Sequence, residues 1–311
     1  MSQIIGKYYT WGNVTIFFDI NGILCTPWTM GDYQWLDSMT VRATWGGYSH
    51  ILTFNKTFMA FNSVRSGDGE PVTSTLVEFA KDSTIPSIKI DYKDSVTDLC
   101  LLAKKYNIDK SSQRENPGPN DSNHCHPYSL LYSALFSKVK DTEMNFCEIG
   151  IAEGRSLLMW NEYLPNSQIY GFEFFQKWLD NWSTNHSDLT RVKVAAMDVR
   201  DDSSIVGPLE TTGVLYDCII DDSSHMFYDM IRIIKQSLPF LKPGGMIIVE
   251  DIRKSFDEAW FYNELKAVLD QFQKVFFVDL DHVRRNSGVV NNDKVLVLIK
   301  NGPTAFDFSL I

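Results

Sequence analysis

The stretch NFCEIGIAEGRSLLMW, residues 145–160, decides the fold of the larger part of this chain. It begins with a short apolar run that ends at Gly150, continues through a loop that ends at Gly154, and goes on with apolar residues at helical spacing. A buried strand that leads into a helix through a glycine-containing loop is typical of an α/β sheet. Ligands bind at such a loop, because it lies beyond the carboxyl end of the strand.

The same alternation of apolar runs and helical patterns continues to the end of the chain. Each run is short and bounded by turn residues, as expected of strands in the middle of a sheet. The last two runs can pair as an antiparallel edge hairpin. The runs after residue 150 are QIYGFE (168–173), RVKVAAMD (191–198), YDCIIDD (216–222), MIIVED (246–251), KVFFVDL (274–280) and KVLVLIK (294–300). The sequence therefore predicts an α/β fold with a Rossmann-like, mostly parallel sheet over residues 128–311.

The N-terminal quarter has a different pattern, with short apolar strands separated by Asn-Gly and Gly-Gly turns. Examples are VTIFFDI (14–20), SMTVRATW (38–45) and HILTFN (50–55). Four of the eight tryptophans fall here: Trp11, Trp28, Trp35 and Trp45. They are consistent with a sugar-binding platform or with core packing, and we favour packing. We expect a small β-rich domain over 1–75, a connector helix (95–108) and a lid-like loop within 76–127, and the α/β domain after that.

Composition excludes several classes of protein. The 311 residues include 39 acidic and 29 basic ones, a formal net charge of −10, and the basic residues are scattered. Nucleic acid is therefore not an expected partner. No signal-peptide pattern opens the chain, and no apolar stretch approaches the roughly 18 residues of a membrane helix. The five cysteines form no C-x-x-C pair, which argues against zinc ribbons and disulfides. We expect a cytoplasmic protein without membrane association.

The glycine loop indicates the kind of cofactor. Its spacing is G-x-x-x-G, from Gly150 to Gly154, and not the G-x-G-x-x-G that places a pyrophosphate on a helix N-terminus. A wider loop opened by an acidic residue suits a cofactor with a cationic centre and no phosphate, such as S-adenosylmethionine. Glu173 ends the next strand, where a carboxylate can accept both ribose hydroxyls, and Asp198 ends the third, near the adenine edge. The candidate cofactor-binding residues are Glu148, Gly150, Gly154, Ser156, Glu173, Asp198, Val199 and Tyr128.

Two acidic clusters follow two other strands, DDSSH at 221–225 and Glu250-Asp251. Both would project from the same edge of the sheet, where several carboxylates repel one another unless a cation neutralises them. Carboxylate oxygens without cysteine favour Mg²⁺, with Mn²⁺ or Ca²⁺ as alternatives. We expect Asp222, Glu250 and Asp251 to be the metal ligands. The alternative is that Glu250 and Asp251 only cap the helix that follows.

His225 is the candidate general base. It opens the predicted helix, whose positive end disfavours the imidazolium form, so we expect a neutral ring that can accept a proton. An alcohol is a poor nucleophile at neutral pH, and a bound dication together with a neighbouring histidine can remove its proton. The structural alternative is a histidine with no catalytic role.

Several segments together resemble one family within the class I S-adenosylmethionine-dependent methyltransferases. They are LAKKYNIDK (102–110), His126-Pro127-Tyr128 with Tyr132, CEIGIAEGRSLLMW, IYGFE, YDCIIDDSSH and LKPGGMIIVEDI. They look like the Mg²⁺-dependent sugar O-methyltransferases of macrolide pathways, the macrocin and mycinamicin types. The resemblance covers roughly residues 100–300 and implies Asp222, Glu250 and Asp251 on the metal and His225 as base. It also implies a sugar, nucleotide-sugar or glycan acceptor, and it is compatible with a homo-oligomer.

This chain departs from the family in two places. Ser223 stands where the family commonly has glycine, which puts the turn geometry in question if that residue needs a positive φ. Residues 1–75 do not match the family's own N-terminal region.

Further polar residues have two interpretations each. The segment 111–132 can fold over the site and contact the methionine carboxylate or the sugar through His124, His126, Tyr128 and Tyr132. Equally, the two tyrosines, at i and i+4, can simply face the core. For Arg284 and Arg285 we favour a solvated turn over a substrate clamp.

Two other functions remain open at this point. A catechol-type enzyme would also chelate a diol, but a phenol is acidic enough to depend less on His225. A non-catalytic glycan-binding protein would use the β-rich domain and would keep the α/β domain as a relic.

Overall fold

The computed structural model describes residues 3–12, 14–19, 22–26, 29–77, 85–114, 124–254, 256, 258–287 and 291–309. Trp28 and residues 115–123 of the predicted lid-like loop lie outside these ranges. Over the described residues, we find no helix with the length and apolar character needed to cross a bilayer. The chain divides into two compact units. The first is Met1–Ser83 with Met226–Tyr228 and Ser255–Trp260, and the second is Thr84–His225, Asp229–Lys254 and Phe261–Ile311.

The first unit contains an eight-stranded antiparallel sheet in which every strand pairs with the next one along the chain. Its last strand returns to its first through an antiparallel bridge between Tyr9 and Leu76, so the sheet closes on itself. Closure removes the exposed sheet edges that favour aggregation. The strands are β1 (Lys7–Trp11), β2 (Val14–Phe18), β3 (Ile23–Cys25), β4 (Met30–Trp35), β5 (Thr40–Trp45), β6 (Tyr48–Phe54), β7 (Ala60–Arg65) and β8 (Pro71–Thr75).

Aromatic side chains fill the interior of this closed sheet. Tyr9, Phe54 and Phe61 contact one another with ring centroids 5.0–5.5 Å apart. Trp45 is buried in the same cluster, and Trp11 and Trp35 pack against it. These three tryptophans therefore take part in the packing that we favoured from the sequence. The end of the β-rich domain at residue 75 remains a prediction.

The second unit is built on an eight-stranded, mostly parallel sheet, as predicted. Its strands lie in the order β12-β11-β10-β13-β14-β16-β15-β9, and only the pairs that include β16 are antiparallel. The strands are β9 (Ser87–Asp91), β10 (Asn145–Ile149), β11 (Gln168–Glu173), β12 (Val192–Ala196), β13 (Tyr216–Asp221), β14 (Leu241–Ile252), β15 (Phe272–Asp281) and β16 (Lys294–Lys300). Most runs proposed from the sequence are strands within one or two residues, because a short apolar run can be buried only inside the sheet.

The predicted edge hairpin is not at the edge. The hairpin of β15 and β16 forms, but β9, from the predicted connector, pairs in parallel with β15 and is the outermost strand. The sequence SIKID alternates exposed and half-buried residues. A polar edge strand of this kind gives no apolar run that could be recognised in the sequence.

Seven helices are described in the chain: α1 (Asp98–Lys105), α2 (Tyr128–Phe136), α3 (Arg155–Tyr163), α4 (Gln176–Asn185), α5 (Asp202–Thr211), α6 (Phe227–Ser237) and α7 (Glu258–Leu265). The predicted connector helix is shorter than 95–108, because Thr97 caps its first turn by accepting a hydrogen bond from Cys100. The sequence did not predict α5, which contains Gly207 and Pro208, two residues that disfavour a helix interior.

A β-bulge shapes the end of β14. Val249 pairs with Leu296 and Ile252 pairs with Lys294, so two residues of β14 lie opposite one residue of β16. The two residues of β14 in this bulge are Glu250 and Asp251, and Asp251 has a φ of +56°. Bulges of this kind redirect side chains at the rim of a sheet. The two adjacent carboxylates therefore do not follow the ordinary alternation of a strand.

Candidate active site

The loop after β10 forms one side of a cavity of about 910 Å³ at the carboxyl ends of the central strands. Gly150 and Gly154 have φ values of +90° and +82°. A Cβ on Gly150 would lie 2.5 Å from the Cα of Ser223, and one on Gly154 would lie 2.7 Å from Cζ3 of Trp182. Both positions therefore need glycine, and the loop lies directly against the turn that follows β13.

Glu173 holds this loop in shape. Its carboxylate accepts hydrogen bonds from the backbone amides of Ala152, at 2.8 Å, and Phe175, at 3.0 Å. The side chain is buried and lines the cavity, so each oxygen can accept one further bond there. The geometry is compatible with the predicted contact to two ribose hydroxyls.

Asp198 and Val199 also line the cavity. Both oxygens of Asp198 bind the guanidinium of Arg200, at 2.8 Å. Arg200 lowers the pKa of Asp198. Arg200 also lies 4.5 Å from the ring of Phe174. An adenine edge would therefore meet an Asp198–Arg200 pair and not a lone carboxylate.

Three aromatic residues on this side were not predicted. Phe174 and Phe175 follow Glu173, are each 50% exposed, and line the cavity together with Trp178. Exposed aromatic rings inside a concave site are typical of surfaces that bind flat ligands. The signal in the sequence was the pair of phenylalanines immediately after the strand-end acid.

Two more of the predicted cofactor residues are buried beside the loop. Ser156 is the second residue of α3 and lines the cavity. Glu148, which precedes the loop, is fully buried beneath it, and its Oε1 lies 3.4 Å from the ammonium group of Lys110. Glu148 is therefore placed to neutralise charge and not to touch a ligand in the cavity.

Three side chains meet on the other side of the cavity. Nε2 of His225 lies 3.1 Å from Oδ1 of Asp222 and 3.2 Å from Oδ2 of Asp251. Among the described residues, this trio brings metal-ligating atoms within 4.8 Å of one another. Adjacent ligands of an octahedral Mg²⁺ lie about 3 Å apart, given Mg–O distances of about 2.1 Å. The two carboxylates and this spacing fit a hard divalent ion.

Glu250, predicted as a third metal ligand, lies beside this trio, and both of its oxygens have partners within the chain. One of its oxygens accepts a hydrogen bond from the hydroxyl of Tyr132, and the other pairs with the ammonium group of Lys110. Both side chains that bind Glu250 come from the segment before β10, and neither contact was predicted. Asp222 and Asp251 are therefore the two predicted ligands that converge on His225.

Two carboxylates surround His225. Helix α6 begins at Phe227, so His225 lies in the preceding turn, with a φ of +56°. Burial would lower the pKa of His225, but the carboxylates of Asp251 and Asp222 outweigh it and raise the pKa to about 10. Without a cation beside them, the carboxylates therefore favour the protonated ring. Ser223 does not have a positive φ, so it tolerates its position without the family's glycine.

Lys110 is the residue of this site that the sequence analysis missed. Its ammonium group lies 2.5 Å from Oδ2 of Asp222 and 3.4 Å from Oε1 of Glu148, in addition to its contact with Glu250. Burial would lower the pKa of Lys110, but these carboxylates outweigh it and hold the pKa well above its usual range. The carboxylates therefore favour the ammonium form of this lysine.

Tyr128 supports Asp251 from behind. Its hydroxyl donates to Oδ1 of Asp251, at 2.6 Å, and also lies 2.8 Å from the carbonyl oxygen of Asn292. The side chain is 1% exposed. This placement favours a role in orienting Asp251 over the predicted contact with the cofactor.

His126 contacts Tyr128 and connects it to Asp293. Its ring stacks on Tyr128, and its Nδ1 lies 2.8 Å from Oδ1 of Asp293. Arg285 binds the other oxygen of Asp293, at 2.7 Å. Arg285 is therefore neither a purely solvated turn residue nor a substrate clamp, because it neutralises a buried carboxylate behind the site.

The chain is similar in sequence to known methyltransferases. Residues 147–252 match the family model described as a methyltransferase domain. The chain is 29% identical over 142 residues to the 8-demethyl-8-alpha-L-rhamnosyl tetracenomycin-C 2'-O-methyltransferase of Streptomyces olivaceus, a match that covers 43% of this chain and 35% of that one. It is 25% identical over 134 residues to the mycinamicin VI 2''-O-methyltransferase of Micromonospora griseorubida, covering 41% and 32%.

The matches thus span about a third of the length of these relatives. A solved structure of MycE methyltransferase, in complex with Mg and SAH, aligns with a TM-score of 0.46 at 18% identity and covers 67% of this chain and 56% of that one. Residues 147–252 carry the match to the methyltransferase domain family, and the resemblance to the macrocin- and mycinamicin-type sugar O-methyltransferases is confirmed.

Proposed function

We propose that this protein is an O-methyltransferase that uses S-adenosylmethionine and a divalent ion, Mg²⁺ first, to methylate a sugar hydroxyl. One observation carries the proposal. A single cavity is lined on one side by the Gly150 loop with Glu173 and on the other by Asp222, His225 and Asp251. A cavity of this size suits a donor together with part of an acceptor. The sugar class rests on the relatives, which are named for methylation of sugars.

Different residues of the chain would bind the donor, hold the ion and accept the proton. The Gly150 loop, Glu173 and the aromatic pair after it bind and orient the donor, which supplies the methyl group. Asp222, Glu250 and Asp251 are the proposed ligands of the ion, which, when bound, would lower the pKa of a hydroxyl that it contacts. His225 lies next to the carboxylates of Asp222 and Asp251 and is the proposed acceptor of the proton of the acceptor hydroxyl. A cation held by these carboxylates would lower the pKa of the imidazole.

The experiment is a methyl-transfer screen over nucleotide-sugars, deoxysugars and glycosylated polyketides, with a catechol as the phenolic comparison and EDTA as the control. We expect transfer to a sugar that stops on chelation and resumes with Mg²⁺. Transfer that survives full chelation contradicts the metal role. Transfer to the catechol alone would assign the protein to small phenols.

His225→Ala separates the two acceptor classes further. A sugar alcohol needs a base, so we expect near-total loss of activity, whereas a phenol would give a mild loss. His186→Ala is the matched control, because His186 lies at the end of α4 and does not line the cavity. Binding of S-adenosylhomocysteine, measured by calorimetry, tests the relic alternative, since a relic domain would not bind it.

A further inference from the structure

The first turn of helix α6 contains a buried acid with two partners. Asp229 lies in this turn and is 4% exposed. Its Oδ2 accepts a hydrogen bond from the hydroxyl of Ser224, at 2.7 Å, and its Oδ1 accepts one from Nη1 of Arg232, also at 2.7 Å. A buried carboxylate is costly unless its oxygens are paired. The two bonds therefore fix the direction of the Asp229 side chain.

Ser224 belongs to the turn between β13 and α6 and immediately precedes His225. Both residues line the cavity. His225 has a φ of +56°, a conformation that a residue with a Cβ keeps only where the surrounding structure holds it. The bond from Ser224 to Asp229 restrains the segment directly beside that residue. The first turn of α6 therefore helps to set the position of the proposed base.

Arg232 lies one turn further along α6 and reaches the donor side of the cavity. Its Nη1, which binds Asp229, also donates to the carbonyl oxygen of Val199, at 3.2 Å. Its Nε lies 3.0 Å from Oδ1 of Asp202, in the first turn of α5. Val199 lines the cavity beside Asp198. Arg232 therefore ties α6 to the loop between β12 and α5, which comes 33 residues earlier in the chain.

These contacts form one continuous network, which runs from Val199 through Arg232 and Asp229 to Ser224; we call it the α6 network. Its two ends line the cavity, whereas neither Asp229 nor Arg232 is among the described residues that do so. The network thus connects the donor side to the turn of His225 from behind the cavity wall. Groups that share hydrogen bonds and an ion pair in this way act as a unit, because the loss of one member leaves its neighbour without a partner.

We propose that Asp229 and Arg232 are positioning residues that couple donor binding to the turn that carries His225. A donor that holds the Val199 loop in place also holds Arg232, and through Asp229 it holds Ser224 beside His225. Coupling between two sites is reciprocal, so a change at Ser224 is felt on the donor side. This proposal rests on the proposed function, because it concerns the donor and the base of the same site.

The test is a double-mutant cycle on the binding of S-adenosylhomocysteine, measured by calorimetry in Ser224→Ala, Arg232→Gln and the double variant. Loss of one hydrogen bond of the network should weaken binding about fivefold in each single variant. Arg232→Gln already breaks the link to Val199, so Ser224→Ala should add less than about twofold in the double variant. Effects that multiply in the double variant, or single variants with the wild-type affinity, overturn the proposal. If Arg232→Gln does not fold, Asp229→Asn takes its place in the cycle.

Two further variants separate coupling from other causes. Ser224→Thr keeps the hydroxyl and should bind S-adenosylhomocysteine within about twofold of the wild type, whereas an affinity as low as that of Ser224→Ala overturns the proposal. Arg191→Gln is the matched control for Arg232→Gln, because Arg191 also donates to backbone carbonyls, those of Asn161, Leu164 and Ser167. It should lower Tm and leave the affinity unchanged. An equal loss of affinity in both arginine variants assigns that loss to general destabilisation and overturns the proposal.

The two proposals fail in different ways. A wild-type protein that binds S-adenosylhomocysteine, with effects that multiply in the cycle, overturns the coupling and leaves the proposed donor in place. A protein that shows the expected cycle but transfers no methyl group to any acceptor overturns the proposed function and leaves the coupling intact.

Discussion

Gly150→Ala should impair both stability and donor binding, because the new methyl group has no room. The backbone at this position has a φ of +90°, and the added Cβ would lie 2.5 Å from the Cα of Ser223 and within 3.0 Å of the carbonyl of Asp222. The left-handed backbone costs about 1–2 kcal/mol for a residue with a Cβ. Displacement of the opposing turn adds about 1–3 kcal/mol. We therefore expect a loss of about 2–5 kcal/mol, which lowers Tm by roughly 5–15 °C in a unit of this size.

Gly213→Ala is the matched control. Gly213 has a φ of +69°, but a Cβ there would meet nothing within 4 Å. This variant should lose only the backbone cost of about 1–2 kcal/mol, with an unchanged affinity for S-adenosylhomocysteine. The assays are thermal unfolding and calorimetry with S-adenosylhomocysteine. If Gly150→Ala keeps the wild-type Tm and dissociation constant, the loop does not lie against the turn after β13 as described.

Three further predictions concern other parts of the molecule. Tyr128→Phe leaves one oxygen of Asp251 without its donor and the backbone amide of Asp251 without its acceptor, which should cost about 1–3 kcal/mol in unfolding experiments and weaken Mn²⁺ binding, while S-adenosylhomocysteine affinity stays unchanged. Glu173→Gln keeps only one acceptor oxygen, so S-adenosylhomocysteine should bind about tenfold more weakly while Mn²⁺ affinity stays as in the wild type. Burial, with Arg65, lowers the pKa of His50 below 6.5, so the unfolded chain binds a proton more readily and stability should fall as the pH drops below that value. His50→Phe keeps the stacking on Trp45 and should flatten this dependence, measured as urea unfolding at about pH 7.5 and about pH 5.5.

The local sequence was sufficient to predict most strands of the second unit and the acids that follow them. Each central strand is an apolar run, and the acids that line the cavity follow those runs directly, as Glu173 follows β11 and Asp222 follows β13. In a parallel sheet the residues that follow the strands lie at one edge, whatever the conformation of the loops. The proximity of these acids therefore follows from strand direction alone. The same reasoning does not apply to Glu250 and Asp251, whose directions depend on a bulge that no local pattern indicates.

Lys110 could not be found in this way. Its partner Asp222 lies 112 residues further along the chain, and the lysines at 104 and 105 belong to the same run of sequence. Lysine is by default a surface residue, so composition and spacing would place all three outside. Only the topology, which brings the segment after α1 across the ends of β10, β13 and β14, distinguishes Lys110 from its neighbours.

The surroundings of His225 show what local reasoning leaves out. A helix N-terminus acts as roughly half a positive charge, and its effect falls off within the first turn. His225 precedes α6 and has two carboxylates at 3.1 and 3.2 Å from Nε2, one of which comes from a strand that the sequence near His225 does not reveal. Two full negative charges at hydrogen-bond distance outweigh a fractional dipole charge, so without a cation they favour the protonated imidazole. The proposed base role for His225 therefore depends on a cation that would share the negative charge of these carboxylates.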